Sequence, residues 1–157
     1  WPQLPLRSPR EQMLSQYMEG FPGLIEKNGS LICQPRQENL NHFYESYSLG
    51  EDFPISKSYA EGFYQFIEKL KGKKFRILKG QVTGPVTFTL GIKLSDGRFL
   101  WTDEELREIG LMLLKKKAIW QIKQLKKYAD NVCIFIDEPS LSAIGSSTYL
   151  IVQQQEV

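Results

Sequence analysis

Hydrophobic positions along the chain change period several times, and each change predicts an element. Ser8 before Pro9-Arg10-Glu11 reads as a helix start, with an N-cap, Pro at N1 and Glu at N3. That helix is expected to turn Met13, Leu14, Tyr17 and Met18 inward and to stop near Gly20. Pro22-Gly23 marks a turn, and residues 24–33 read as a β-hairpin with Asn28-Gly29 as its turn. Helical spacing follows from about Arg36 to Tyr47 and from about Ser56 to Leu70, with Pro54 between. Residues 74–82 predict a strand that leaves through Thr83-Gly84-Pro85, with Thr83 placed to cap a short helix over 86–92. Ser95-Asp96-Gly97-Arg98 is a loop. Thr102 and Glu105 predict a capping box for the longest helix, about Asp103 to Tyr128, with its stripe at Leu106, Ile109, Leu113, Ile119, Ile122 and Leu125. Val132-Cys133-Ile134-Phe135-Ile136 then reads as a short strand buried on both faces, ended by Asp137-Glu138-Pro139. A loop through Gly145 and a last helix complete the pattern.

Strands separated by helices argue a parallel sheet with crossover connections. Trp1–Leu4 reads as the exit of a further strand, so about three such strands are visible, too few to close a barrel. The chain has no initiator Met and closes at Val157 inside a helical pattern. Both ends predict a piece of a longer protein: one partial domain over 1–157, truncated at each end, with open sheet edges that call for self-association or a missing half.

Composition narrows the function classes. The 157 residues carry a net charge of +2, too little to imply a nucleic-acid or membrane partner. The lysines near 69–74 and 115–127 are better explained as a solvated helix face than as a phosphate groove. No apolar run is long enough to span a bilayer, and no signal peptide is expected. Cys33 and Cys133 are expected as reduced thiols of a cytoplasmic protein. With them, the single His42 offers no metal-ligand spacing. Nothing predicts a nucleophilic triad.

Two places can carry chemistry. Asp137 and Glu138 sit at the C-terminal end of a strand, where α/β folds place ligands. Consecutive side chains point to opposite sides, so one carboxylate can face a cation, an amine or a proton while the other orients a loop or pairs with a base. An acidic cap at a helix start explains the pair equally well. The second place is Gln81-Val82-Thr83-Gly84-Pro85-Val86-Thr87, where exposed N–H groups could take a carboxylate or phosphate, although a plain turn suffices.

Together, Thr83-Gly84-Pro85-Val86-Thr87 and Ile136-Asp137-Glu138-Pro139-Ser140-Leu141 resemble two signatures of the catalytic barrel of cobalamin-independent methionine synthase, in the same order. Trp1-Pro2-Gln3-Leu4-Pro5 and Arg7 resemble the smaller uroporphyrinogen-decarboxylase-like relatives. The resemblance implies an incomplete TIM (β/α)8 barrel, about three barrel strands with flanking helices and a β-hairpin. It implies a methyltransferase that, as a whole protein, moves a methyl group from a donor to a zinc-bound thiol such as homocysteine. The zinc ligands would lie beyond Val157, so this chain alone would bind no metal and be inactive. Asp137 inherits the role of holding the substrate's amino group. Glu138, Thr83, Gln81 and Gln3 are the other candidate substrate-binding residues, and no catalytic residue is assigned. Alternatives are a decarboxylase-like protein acting on a tetrapyrrole, or a non-catalytic binding module.

Overall fold

A computed structural model of the chain describes residues 1–27 and 29–144. Asn28 and the expected last helix fall outside them. The described residues form a small α/β fold with two separate two-stranded sheets. In chain order these are a hairpin of β1 (Leu24–Lys27) and β2 (Ser30–Cys33), helices α1 (Gln37–Ser48) and α2 (Glu61–Leu70), strand β3 (Phe75–Thr83), helices α3 (Pro85–Gly91) and α4 (Glu104–Leu125), and strand β4 (Ala129–Asp137). Strands β3 and β4 run parallel, joined through α3 and α4, in register from Phe75 beside Ala129 to Thr83 beside Asp137.

This overturns the barrel expectation. Only two strands pair in parallel among the described residues, and two strands cannot curl into a closed sheet. Trp1–Leu4 forms no strand. Its Trp1 indole donates to Gln121 Oε1 at 3.0 Å and packs edge-on against Phe63, and the Pro2 carbonyl lies over Gly62. The place beside β3 where a third strand could pair is taken by a side chain instead. Gln121 Oε1 accepts from the Gln81 N–H (3.1 Å) and Gln121 Nε2 donates to the Gln81 carbonyl (2.8 Å), imitating one peptide unit of a neighbouring strand.

Several local expectations also change, each because a tertiary partner competes with a local one. Ser8 does cap, accepting from the Arg10 N–H at 3.2 Å, but the helix lasts only one 3₁₀ turn, Pro9–Glu11, with a second turn at Ser15–Tyr17. Glu11 is drawn inward: it is fully buried and holds Arg7 Nε and the Glu61 N–H, both at 2.6 Å. That second bond starts α2 at Glu61 rather than near Ser56. Asp103, not Thr102, caps α4 by accepting from the Leu106 N–H at 3.1 Å. Leu106, Ile109, Leu113 and Leu125 are buried as expected, whereas Ile119 and Ile122 are partly exposed and Lys117, Trp120 and Gln121 are buried in their stead.

The hairpin matches its pattern, with Leu24 beside Cys33 and Lys27 beside Ser30, and Gly29 takes the positive φ (+73°) that its turn demands. Strand β4 is not buried on both faces. Val132 and Ile134 pack against the core, while Phe135 and Ile136 remain 50% and 64% exposed. Gly80 lets the layers meet: a Cβ there would lie 2.5 Å from Ile134 Cδ1 and 2.8 Å from Gln121 Oε1. The main core runs from Tyr17, Met18 and Phe21 through Phe63, Phe88 and Leu113 to Leu125. No helix among the described residues is long and apolar enough to cross a membrane.

Candidate functional site at the parallel strand rim

Parallel pairing places the ends of β3 and β4 side by side, so Thr83 and Asp137 are register partners, and the Gly84 N–H donates to the Asp137 carbonyl at 2.9 Å. The two sequence motifs meet here, and they lock into each other. Glu138 reaches back to the first turn of α3, where Oε1 accepts from the Val86 N–H (3.0 Å) and Oε2 from the Thr87 N–H (2.8 Å). Pro85 at the first helical position has no N–H, so these are the first two donors the helix offers. Gly84 makes the room, since a Cβ on it would fall 2.1 Å from Glu138 Cδ. The Thr87 hydroxyl oxygen in turn accepts from the Ser140 N–H at 3.1 Å. Glu138 is thus the acidic cap of a helix start, with its charge at the positive end of the peptide dipoles.

Asp137 has no such employment. Among the described residues its carboxylate has no hydrogen bond and no ion pair, and the residue is exposed. It borders a cavity of about 510 Å³, also lined by Gln3, Met13, Tyr17, Thr83 and Glu138. Most of the neighbouring donors are already spent. The Thr83 hydroxyl donates to the Met13 carbonyl (2.8 Å), the Tyr17 hydroxyl to the Gln81 carbonyl (2.8 Å), and Gln3 Nε2 to Gln16 Oε1 (2.9 Å). Burial first, and then the charge of Asp137, raise the Tyr17 pKa far above the ordinary phenol value, so Tyr17 stays protonated. What the rim has left over is therefore mostly acceptor capacity: the Asp137 carboxylate, Thr83 Oγ1 and Gln3 Oε1. Among the described residues no lysine or arginine lines it.

Of the five residues singled out from the sequence, Asp137, Glu138, Thr83 and Gln3 border this one cavity. Gln81 does not border it, and its main chain is held by Gln121 and Tyr17. Met13 and Tyr17, read from the sequence only as inward-facing helix residues, complete the wall. Their signal was their place beside a strand end, which no local pattern encodes.

The zinc implied by the resemblance was placed on ligands beyond Val157, outside the described residues. No group of three or more His, Cys, Asp and Glu side chains among them could hold a metal ion. Cys33 is buried at the end of the hairpin, where burial pushes its thiol up to about 12, and Cys133 lies on β4. His42 lies on α1, apart from both. These donors do not fit a zinc site.

The fold and the rim together define the class: a small α/β unit with an anionic, acceptor-rich pocket at the C-terminal end of a parallel strand pair. Comparison with protein-family models, curated proteins and solved structures finds no match to the chain.

Proposed function

We propose that the rim binds the primary ammonium group of a small amino-acid-like molecule, with Asp137 as its counter-charge. The observation that carries this reading is the Asp137 carboxylate, unpaired among the described residues and set among side chains whose hydroxyl donors are spent. A primary ammonium has three donors and no acceptor, and so complements what is left. We further propose that the chain is part of a methyltransferase whose acceptor is a thiol such as homocysteine. This part rests on the resemblance of the Thr83-Gly84-Pro85 and Asp137-Glu138-Pro139 motifs to methionine synthase. Within such an enzyme the residues of this chain would hold and orient the amino end of the substrate. Glu138 would contribute by fixing the α3 start and, through it, the strand end that carries Asp137.

The tetrapyrrole reading finds less support. A polycarboxylate needs cations, yet Arg7 is paired with Glu11 and Arg10 with Glu26, and none faces the rim. Calorimetry with homocysteine and N-acetylhomocysteine separates the possibilities. Homocysteine is expected to bind the native chain and to lose about tenfold or more in affinity with Asp137→Asn, as loss of a charged hydrogen-bond partner predicts. The N-acetyl compound should bind weakly to both. Equal affinity of homocysteine for native protein and Asp137→Asn would refute the assignment.

A further inference from the structure

A second cavity, of about 650 Å³, lies on another side of the molecule, between the 19–25 stretch, α1, the 51–54 loop and α4. Its size is ordinary for a small-molecule site. Lys117 lines it, and that lysine is out of keeping with its neighbours. Only 1% of its surface reaches solvent, and no carboxylate forms an ion pair with it among the described residues. Its Nζ donates to a backbone carbonyl, that of Pro54, at 2.7 Å. Lysines are almost never fully buried without a charged partner, because an ammonium taken from water without one costs free energy.

Fastening the 51–54 loop does not account for this cost. Lys116 already donates to the Glu51 carbonyl at 3.0 Å, and Lys123 to Asp52 Oδ1 at 2.5 Å, both from solvent-exposed positions on the same helix. The other charged groups on the cavity wall include Glu19, Glu38, Glu51 and Asp52, against Arg36. An anionic ligand would meet that excess of carboxylates, whereas an uncharged one would not.

We propose that Lys117 is a nucleophilic amine, and that this cavity takes a small uncharged aldehyde or ketone which condenses with it to an imine. The neutral Nζ adds to the carbonyl carbon, forming the C–N bond as the C=O π pair moves to oxygen. The carbinolamine then loses its hydroxyl as water together with the remaining nitrogen proton, so amine plus carbonyl gives imine plus water, with no oxidation. Glu19, on the same cavity wall, is the carboxylate assigned to carry these protons. Its charge acts on Lys117, and its Oε2 is held by the Ser56 N–H at 2.6 Å. Burial lowers the Lys117 pKa from 10.5 to about 8, which puts far more free amine on it at neutral pH than on an exposed lysine.

The test is reductive labelling of the native chain with glycolaldehyde and cyanoborohydride at neutral pH, mapped by mass spectrometry. Lys117 is expected to be labelled about tenfold or more faster than Lys116 and Lys123, the exposed references on the same helix. The preference should vanish when the protein is unfolded in urea. At pH 9, where the Lys117 amine is largely free with or without the Glu19 charge, Glu19→Gln should slow labelling at Lys117 and leave Lys123 unchanged. Labelling of Lys117 no faster than Lys123 in the native chain would overturn the proposal, and so would a preference that persists in urea.

Discussion

Replacing Glu138 with Ala tests whether this carboxylate holds the fold or a ligand. The substitution removes both acceptors of the α3 start, at 3.0 and 2.8 Å, and the negative charge at that helix end. Hydrogen bonds to a charged group contribute about 1.5–3 kcal/mol each, and loss of a helix cap costs about 0.5–2 kcal/mol. Glu138 is only half-buried, and water can enter the vacated socket to serve the Val86 and Thr87 N–H groups. The lower end of these ranges applies, so the loss should be about 2 kcal/mol. In a chain of 157 residues that corresponds to a Tm lower by about 4–8 °C. Gly84→Ala provides an independent route to the same loss, because its Cβ would lie 2.1 Å from Glu138 Cδ and expel the side chain. The two substitutions must therefore be strongly non-additive: once Glu138 is Ala, Gly84→Ala should cost little. Thermal unfolding followed by circular dichroism on the four members of this cycle decides it. A Tm for Glu138→Ala within about 1 °C of native, or full additivity with Gly84→Ala, would refute the socket and return Glu138 to the ligand.

Other outcomes follow from the same structure. Gln121→Leu leaves the Gln81 N–H and the Trp1 indole without their buried acceptor, and should cost about 2–4 kcal/mol in urea unfolding, with a change in Trp fluorescence. In the native chain one thiol, Cys133, should react readily with a disulfide reagent at pH 8, while Cys33, fully buried and with its thiol pushed up to about 12, reacts only on unfolding. The folded chain holds Lys117 at a lowered pKa, about 8, so between there and the unfolded value of 10.5 the unfolded state binds the extra proton. Stability should therefore rise as pH increases through that window, an effect of the order of 3 kcal/mol in full, and the rise should be absent from Lys117→Met. A native chain and a Lys117→Met variant with parallel urea midpoints across that window would exclude a depressed Lys117.

The sequence by itself determined the elements whose cause is local. Asn28-Gly29 between two short apolar stretches predicts the hairpin, residues 74–82 predict β3, the apolar run of 132–136 predicts β4, and long helical spacing predicts α4, all found where expected. It also identified the two motifs that the structure brings together at one strand rim. Other features were decided only by tertiary structure, because they are contests between a local partner and a distant one. Glu11 could have boxed in Ser8 but is taken by Arg7 and Glu61 instead. Thr83 could have capped α3 but gives its hydroxyl to Met13, which leaves the cap to Glu138 from 51 and 52 residues away. The barrel implied by the resemblance did not survive, since Gln121 rather than a third strand satisfies the Gln81 peptide. Adjacent carboxylates look alike in a sequence. Asp137 and Glu138 acquire different roles because alternation turns one toward the cavity and the other toward a helix start that exists only once the strands have paired.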